Sequence, residues 1–583
     1  MVSDKMPGIW GVISEKENHP DIDLANEFHR VVGISYLEDR EKFSNSVFGR
    51  VSVNKFHKDK IFYKIGNSLA CTDGIILNLK YLLNRTKFTD LSEYLLKSYQ
   101  ENNFAFLNQL RGNFAGFLYF EQISKLIVFA DHLASKPIYY FYDKNTGTFI
   151  FASELKAVIK GMKLQGFSPH LDIKGAYCLL VLGYMLENLT LVEEIKKIPP
   201  GTLLVYGNGR LSSETYYRLS SKPYINECED KIIDELDVRF KEAVKLEYEK
   251  DAEYNYKHIA TLSGGLDSRT NVAYAKKLGY KELFCFTFSE SNYLDEIIAK
   301  KICSDNYFEF VFYALDNGKY LLNYIDDIIL SNSGLALFSG GAHAYSCLKR
   351  LSLTEFGLIH TGEIGDLVLG SYLSRKHHNP LNDRMLHKIA YSTILIDKLN
   401  NQFDLGDFNY ENDELFAFYE RCINGTFNGY RMLEQFTEFS SPFLHIDFLD
   451  YAMKIPPRLR YKEAIYLKWI NKCIPEFSVY KWEKYNLSPR YPISLLIFYK
   501  KLMMGANKVL RRKPSSMNPM NHWWNTNSAL RDKVNILFNE YIENIEEYTD
   551  LAQDCKYLFE NGSLIEKTQV ITLLRAVSIL EVE

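Results

Sequence analysis

Over its first third the chain alternates short apolar runs with polar breaks. Residues 112–120 (GNFAGFLYF), 125–130 (KLIVFA), 137–142 (PIYYFY) and 148–152 (TFIFA) are β-branched and aromatic, and loops rich in Asp, Asn and Gly separate them. That pattern predicts strands, and helical stretches near 90–100 and 153–160 make a layered α+β domain more apt than a pure sandwich. Residues 220–230 (SSKPYINECED) mix Pro, charge and polarity without a period, the mark of a linker. From 231 to 249 the pattern changes: Ile232, Ile233, Leu236, Phe240, Ala243 and Val244 lie at the spacing of an amphipathic helix. A short apolar strand at 258–262, a Gly-rich turn, a helix reaching Lys277 and another apolar strand at 283–288 follow. This βαβ order predicts a parallel sheet with helices on both faces. Beyond about 485 the chain reads as helices, some of them basic (500–513). The expected organisation is α/β overall: a layered α+β domain over 1–219, a parallel-sheet domain over 225–490 and a helical extension over 491–583.

Composition narrows the classes. A length of 583 residues exceeds what one core organises, and 46% hydrophobic residues with 41 Tyr and 38 Phe argue against disorder. With 69 basic against 73 acidic residues, a net charge of -4 gives no bulk electrostatic case for nucleic acid or anionic membrane. Nine cysteines without a CxxC pair or metal-ligand spacing read as reduced, buried thiols. No run approaches a spanning helix and no signal-peptide pattern opens the chain, so a cytoplasmic protein with access to ATP is expected. Oligomeric state is open.

The chemistry concentrates in the turn after Leu262: Ser263, Gly264, Gly265, Leu266, Asp267, Ser268. Two glycines permit a tight backbone beside a ligand, and the amides that open the next helix form an anion site. Ser263 and Ser268 add hydroxyls. Asp267 would repel phosphate unless Mg²⁺ stood between them. The string lacks the Lys of a Walker A loop and the three glycines of a dinucleotide fold. It resembles instead the pyrophosphate loop of enzymes that cleave ATP between its α and β phosphates.

Further strings follow in the order seen in asparagine synthetases and their relatives, the β-lactam synthetases and lasso-peptide cyclases. In the first half they are 112–120, Asp131 with Lys136, Pro137, Tyr139 and Tyr140, 151–155 (FASEL) and 195–201 (IKKIPPG). In the second they are the Ser263 loop, 294–296 (LDE), 361–370 (TGEIGDLVLG), 438–444 (EFSSPFL) and 474–489. The resemblance covers roughly residues 6 to 490. It implies a glutaminase-like domain of the N-terminal-nucleophile type, an ATP pyrophosphatase domain, and ATP and Mg²⁺ as cofactors. Asp267 and Asp366 match the carboxylates that hold Mg²⁺, while Thr361 and Gly362 join the nucleotide loop. Glu363 matches the acidic residue beside the adenylate, where β-lactam synthetases have Tyr. Glu438 and Lys484 are further candidates for catalysis, with Lys481 as the alternative to Lys484. Arg269 either serves phosphate or pairs with an acidic neighbour on its helix.

One element of the resemblance is broken. Glutamine-hydrolysing members open on a Cys whose own amine serves as base. Here the matching string is Met6 to Gly11 (MPGIWG), with Pro7 at the Cys position and five residues before Met6. Ile75 stands in place of the family's Glu, although Asp90 is kept. Glutamine hydrolysis is therefore not expected, and Cys71 makes a poor substitute nucleophile. The expected activity is adenylation of a small-molecule or peptide carboxylate, then amide formation with ammonia or an amine from a separate donor. Alternatives are an intramolecular amide-forming enzyme of the cyclase type and a non-catalytic ATP-binding scaffold.

Overall fold

The computed structural model describes residues 6–14, 22–28, 34–382, 384–509 and 516–582, the side chains of 506–509 aside; positions 510–513 of the basic stretch and the residues before Met6 lie outside them. Two six-stranded antiparallel sheets form the first domain. One runs Lys196–Lys197, Tyr139–Asp143, Thr148–Ala152, Gly8–Ile13, Ser46–Val53, Tyr36–Lys42. The other runs Arg210–Thr215, Thr202–Gly207, Lys125–Ala130, Gly112–Phe120, Ser68–Ile76, Phe62–Ile65. Their inner faces meet through aromatic side chains: Phe48 lies 5.2 Å from Phe117 and Phe151 lies 5.5 Å from Phe117, centroid to centroid. Helices Leu79–Thr86 and Leu91–Asn102 cover the second sheet, and Leu155–Leu164 packs on the first. Asp90 caps Leu91–Asn102 by accepting the Glu93 amide over 3.0 Å.

The helix Glu229–Glu253 opens the second domain and buries the apolar stripe read from the sequence. Five parallel strands follow in the spatial order Glu309–Ala314, Leu283–Ser289, Lys257–Thr261, Phe356–His360, Phe439–Ser440. The strand order reverses between Lys257–Thr261 and Phe356–His360. Loops leaving the carboxyl ends of these two neighbours therefore diverge, and the crevice between them is where open α/β sheets take ligands.

The helices after 490 fold back onto the body. Leu564–Leu580 wedges between the domains: a Cβ at Gly334 would lie 2.5 Å from Ala576 Cβ, and the Ser339 and Thr568 hydroxyls are 3.0 Å apart. Tyr177 of the first domain donates to Asp554 over 2.6 Å.

Charge also joins the domains. Glu434 and Glu438 of the second domain face Lys136 of the first, whose ammonium lies 3.3 Å and 2.7 Å from their carboxylates and 3.6 Å from Asp73. Lys60 completes the group at 2.6 Å from Glu438. All five are buried. Burial alone would discharge Lys136, but Glu434, Glu438 and Asp73 outweigh it and hold the ammonium above its ordinary range. Burial likewise opposes Glu438, yet the charges of Lys136 and Lys60 bring it down to about 2. Ions taken this far from water persist only in such mutual company.

Candidate active site

The crevice holds a cavity of roughly 580 Å³. Leu262, Ser263, Gly265, Asp267 and Ser268 line it from the first loop, and Thr361, Gly362, Glu363 and Asp366 from the second. Locally, the first loop is built by its own hydroxyls. Ser268 Oγ accepts the Ser263 amide over 3.0 Å and Ser263 Oγ accepts the Gly265 amide over 3.1 Å. The helix Asp267–Lys277 starts here, and its first amides have no intrahelical acceptor.

The two loops touch. A Cβ at Gly362 would lie 2.2 Å from the Ser268 nitrogen, so only glycine allows this approach. Between Glu363 and Gly365, Ile364 takes φ +70, a region costly for a β-branched side chain. That turn sets Glu363 and Asp366 on the same cavity wall. Asp366 N–H donates to Asp267 Oδ2 over 2.8 Å, and Tyr466 Oη donates to Asp267 Oδ1 over 2.9 Å.

Negative charge is in excess. Loss of water and then the Asp366 charge push the Asp267 carboxyl well above its usual range, and the same two causes bring Glu363 to about 7. Asp295, which also lines the cavity and accepts the Gly264 amide over 2.8 Å, is pushed to about 6 by burial and the charge of Glu483. Carboxyls pushed up by neighbouring negative charge are short of cations. Each oxygen of Asp267 keeps acceptor capacity after its one hydrogen bond, so Asp267 and Asp366 fit a hard divalent ion such as Mg²⁺.

Gly264, Lys484, its alternative Lys481 and Glu438 do not line the cavity. Gly264 is covered by Glu483, whose Cβ a Cβ at Gly264 would meet at 2.8 Å. Lys484 pairs with Glu463 at 2.5 Å, and its ammonium feels the Asp366 charge; Lys481 is exposed and offers only its carbonyl to Arg269. Glu438 sits in the interdomain ion cluster. Arg269 is buried and donates to the carbonyls of Gly264, Tyr480 and Lys481, stapling the loop to the 480–483 turn. Sequence reading missed Glu483, Tyr466 and Glu463 as neighbours of the loop. In sequence Glu483 stands between Lys481 and Lys484.

At the sheet's outer end of the same loop lies His360, directly before Thr361. Its Nε2 is 2.8 Å from Asp251 and its Nδ1 3.3 Å from Glu247, with Tyr248 stacked on the ring at 3.8 Å. Burial opposes its charge, but Asp251 and Glu247 win and raise the imidazole to about 9. A protonated His360 thus ties the helix Glu229–Glu253 to the strand that delivers the Glu363 loop.

Neither Pro7 nor Cys71 is placed to act as a nucleophile among the described residues of the first domain. Pro7 is buried at the start of its strand, and Cys71 is buried inside the sheet core, where lost hydration pushes its thiol well above the ordinary range. A thiol held protonated is a weak nucleophile.

Two antiparallel sheets packed face to face, followed by a parallel sheet with a Gly-rich loop at its switch point, define a two-domain α/β class. Residues 75–217 match the glutamine amidotransferase domain family, and residues 235–435 match asparagine synthase. The chain is 22% identical over 360 residues to a putative glutamine-hydrolysing asparagine synthetase 2 of Methanocaldococcus jannaschii, covering 60% of this chain and 65% of that protein. It is 23% identical over 322 residues to the glutamine-hydrolysing asparagine synthetase B of Escherichia coli K12, covering 52% and 50%. Against the glutamine-hydrolysing asparagine synthetase 3 of Bacillus subtilis 168 it is 28% identical over 188 residues, 32% of this chain and 29% of that one. The chain thus matches less than two-thirds of the length of each of these relatives. It belongs to the asparagine synthetase family. No described helix is long and apolar enough to cross a membrane.

Proposed function

We propose that the chain is an ATP-dependent carbon–nitrogen ligase that adenylates a carboxylate, releases pyrophosphate and forms an amide with ammonia or an amine it does not obtain from glutamine. The observation that supports it is the hydrogen bond joining Asp366 to Asp267 across two loops, with Glu363 on the same wall. Amides opening the helix Asp267–Lys277 and the hydroxyls of Ser263 and Ser268 would hold phosphate oxygens. When bound, Mg²⁺ on Asp267 and Asp366 would draw charge from those oxygens. Glu363, with its carboxyl near 7, is matched to taking a proton from an incoming ammonium or alkylammonium.

The reading that this chain does not hydrolyse glutamine rests on Pro7, which offers neither thiol nor free amine. The test is incubation with ATP, Mg²⁺ and a panel of carboxylic acids, following pyrophosphate and trapping the acyl group with hydroxylamine. Acid-dependent pyrophosphate and hydroxamate are expected. A protein that binds ATP yet releases no pyrophosphate with any acid, with ammonia present, belongs instead with non-catalytic ATP-binding proteins.

A further inference from the structure

Charge that nearly cancels over the whole chain does not cancel along it. Between Glu483 and Asp532 no residue is acidic, while nine are Lys or Arg, six of them within residues 500–513. The helix Ile493–Val509 lies in this stretch. Leu495, Phe498 and Leu502, spaced i, i+3 and i+7, form one stripe along it and are 43%, 65% and 59% exposed. Tyr491, four residues before Leu495, is 48% exposed. The other side of the helix is apolar as well: Leu496 is buried in the core, and Ile493, Ile497 and Met503 are half-buried. A helix that is apolar on both sides has cover on both sides, and here the protein supplies one.

Charge and size together identify the other cover. Lys484 pairs with Glu463, Lys500 acts on Glu483, and Arg490 and Arg531 donate to backbone carbonyls. Lys501 is exposed and follows Phe498 by three residues, which sets it on the flank of the stripe. The surplus of positive charge calls for an anionic partner. Four exposed apolar side chains fall short of the roughly 20 to 30 residues a side that a stable protein interface uses. A lipid surface requires no matching shape. An apolar stripe that contains Phe and Tyr and is flanked by Lys and Arg is the make-up of a helix lying in the headgroup layer. At 17 residues, with its lysines, the helix suits lying along a bilayer and not crossing it.

We propose that the helix Ile493–Val509 docks this chain on an anionic lipid surface, with Leu495, Phe498 and Leu502 entering the headgroup layer and Lys501 meeting lipid phosphate. The docking does not rest on the ligase reading, because none of these four side chains lines the active-site cavity.

The test is co-sedimentation of the full chain with vesicles of phosphatidylglycerol and phosphatidylcholine in equal parts, beside vesicles of phosphatidylcholine alone. Saturable binding to the first is expected, with the second at least ~10-fold weaker, since each Lys or Arg near an anionic surface is worth a factor of about 5. Phe498→Ser combined with Leu502→Ser should lower the partition coefficient on anionic vesicles at least ~10-fold through lost apolar burial, and Lys501→Gln alone by about 5-fold. These side chains are exposed, so the denaturation midpoint should hold in both variants. Absence of binding, equal binding to both vesicles, or an unchanged partition coefficient in either variant overturns the proposal. So does a dimer, seen by sedimentation velocity without lipid, that dissociates in the double variant, since the stripe would then be covered by a second copy of the chain.

Discussion

The amide of Asp366 donates to the carboxylate of Asp267 over 2.8 Å, so two acidic residues 99 positions apart in sequence share one edge of a cavity. Like charges are brought this close only where something else is to balance them. Asp267→Asn keeps the shape and the acceptor for Asp366 but removes the charge. Pyrophosphate release should fall at least ~100-fold, the scale of losing a few kcal/mol of charge stabilisation, with the denaturation midpoint little changed. Release near the wild-type rate would end the metal assignment.

Glu363 should act after adenylation. Glu363→Gln is expected to form adenylate and pyrophosphate while making amide at least ~100-fold more slowly, the usual reach of a general base. Hydroxylamine, which needs less deprotonation, should restore part of the turnover. In the unsubstituted protein the amide-forming step should rise about tenfold per pH unit below 7 and level off above it, because only ionised Glu363 takes a proton. A flat profile, or loss of adenylation in Glu363→Gln, would move the residue out of this role.

Glutamine should yield no glutamate. Pro7 has no nucleophile to offer and the Cys71 thiol is held protonated in the core. Glutaminase activity above background that vanished in Cys71→Ser would contradict this.

Glu438 should answer to stability rather than to chemistry. Lys136→Met leaves Glu434 and Glu438 with less buried positive charge, and the folded state should lose about 3 to 5 kcal/mol, as when one partner of a buried ion pair is removed. Glu438→Gln should destabilise in the same direction while folded protein keeps its pyrophosphate release. Denaturant titration beside a pyrophosphate assay separates the two; adenylation lost at unchanged stability would return Glu438 to catalysis.

His360 makes stability depend on pH. Its folded value of about 9 exceeds the unfolded value of about 6.5, so its contribution is complete below roughly 6.5 and fades as pH rises through 9. Wild-type stability should decline by about 1 to 3 kcal/mol across that window. His360→Gln should flatten the decline, measured as denaturation midpoints at several pH values; an unchanged slope would show that another group titrates.

Much of this was legible in local sequence because the signals are local. Alternation over 112–152 reports which side chains of a strand meet the facing sheet, and the strings at 263–268 and 361–366 each carry their own turn geometry. What could not be read depends on long-range approach. Glu483 and Tyr466 reach the loop from about 200 residues away, and nothing near them in sequence marks their destination. Arg269 follows Ser268 directly, yet one step along a helix turns a side chain by about 100°, away from the cavity and toward the carbonyls behind it. Glu438 lies next to a strand whose pleat, together with the first domain that covers it, decided that its carboxylate meets Lys60 and Lys136.

The helix Leu564–Leu580 also has a bearing on how the chain is made. Its Thr568 meets Ser339 across 229 residues, and it is buried on most of its circumference between the two domains. A ribosome adding roughly 5 to 20 residues per second spends on the order of 10 to 50 seconds between those two positions. Throughout that interval the apolar surface around Gly334 and Phe338 stands without its cover. Newly made chains should therefore depend on chaperones during synthesis, and more so in variants that weaken this last helix.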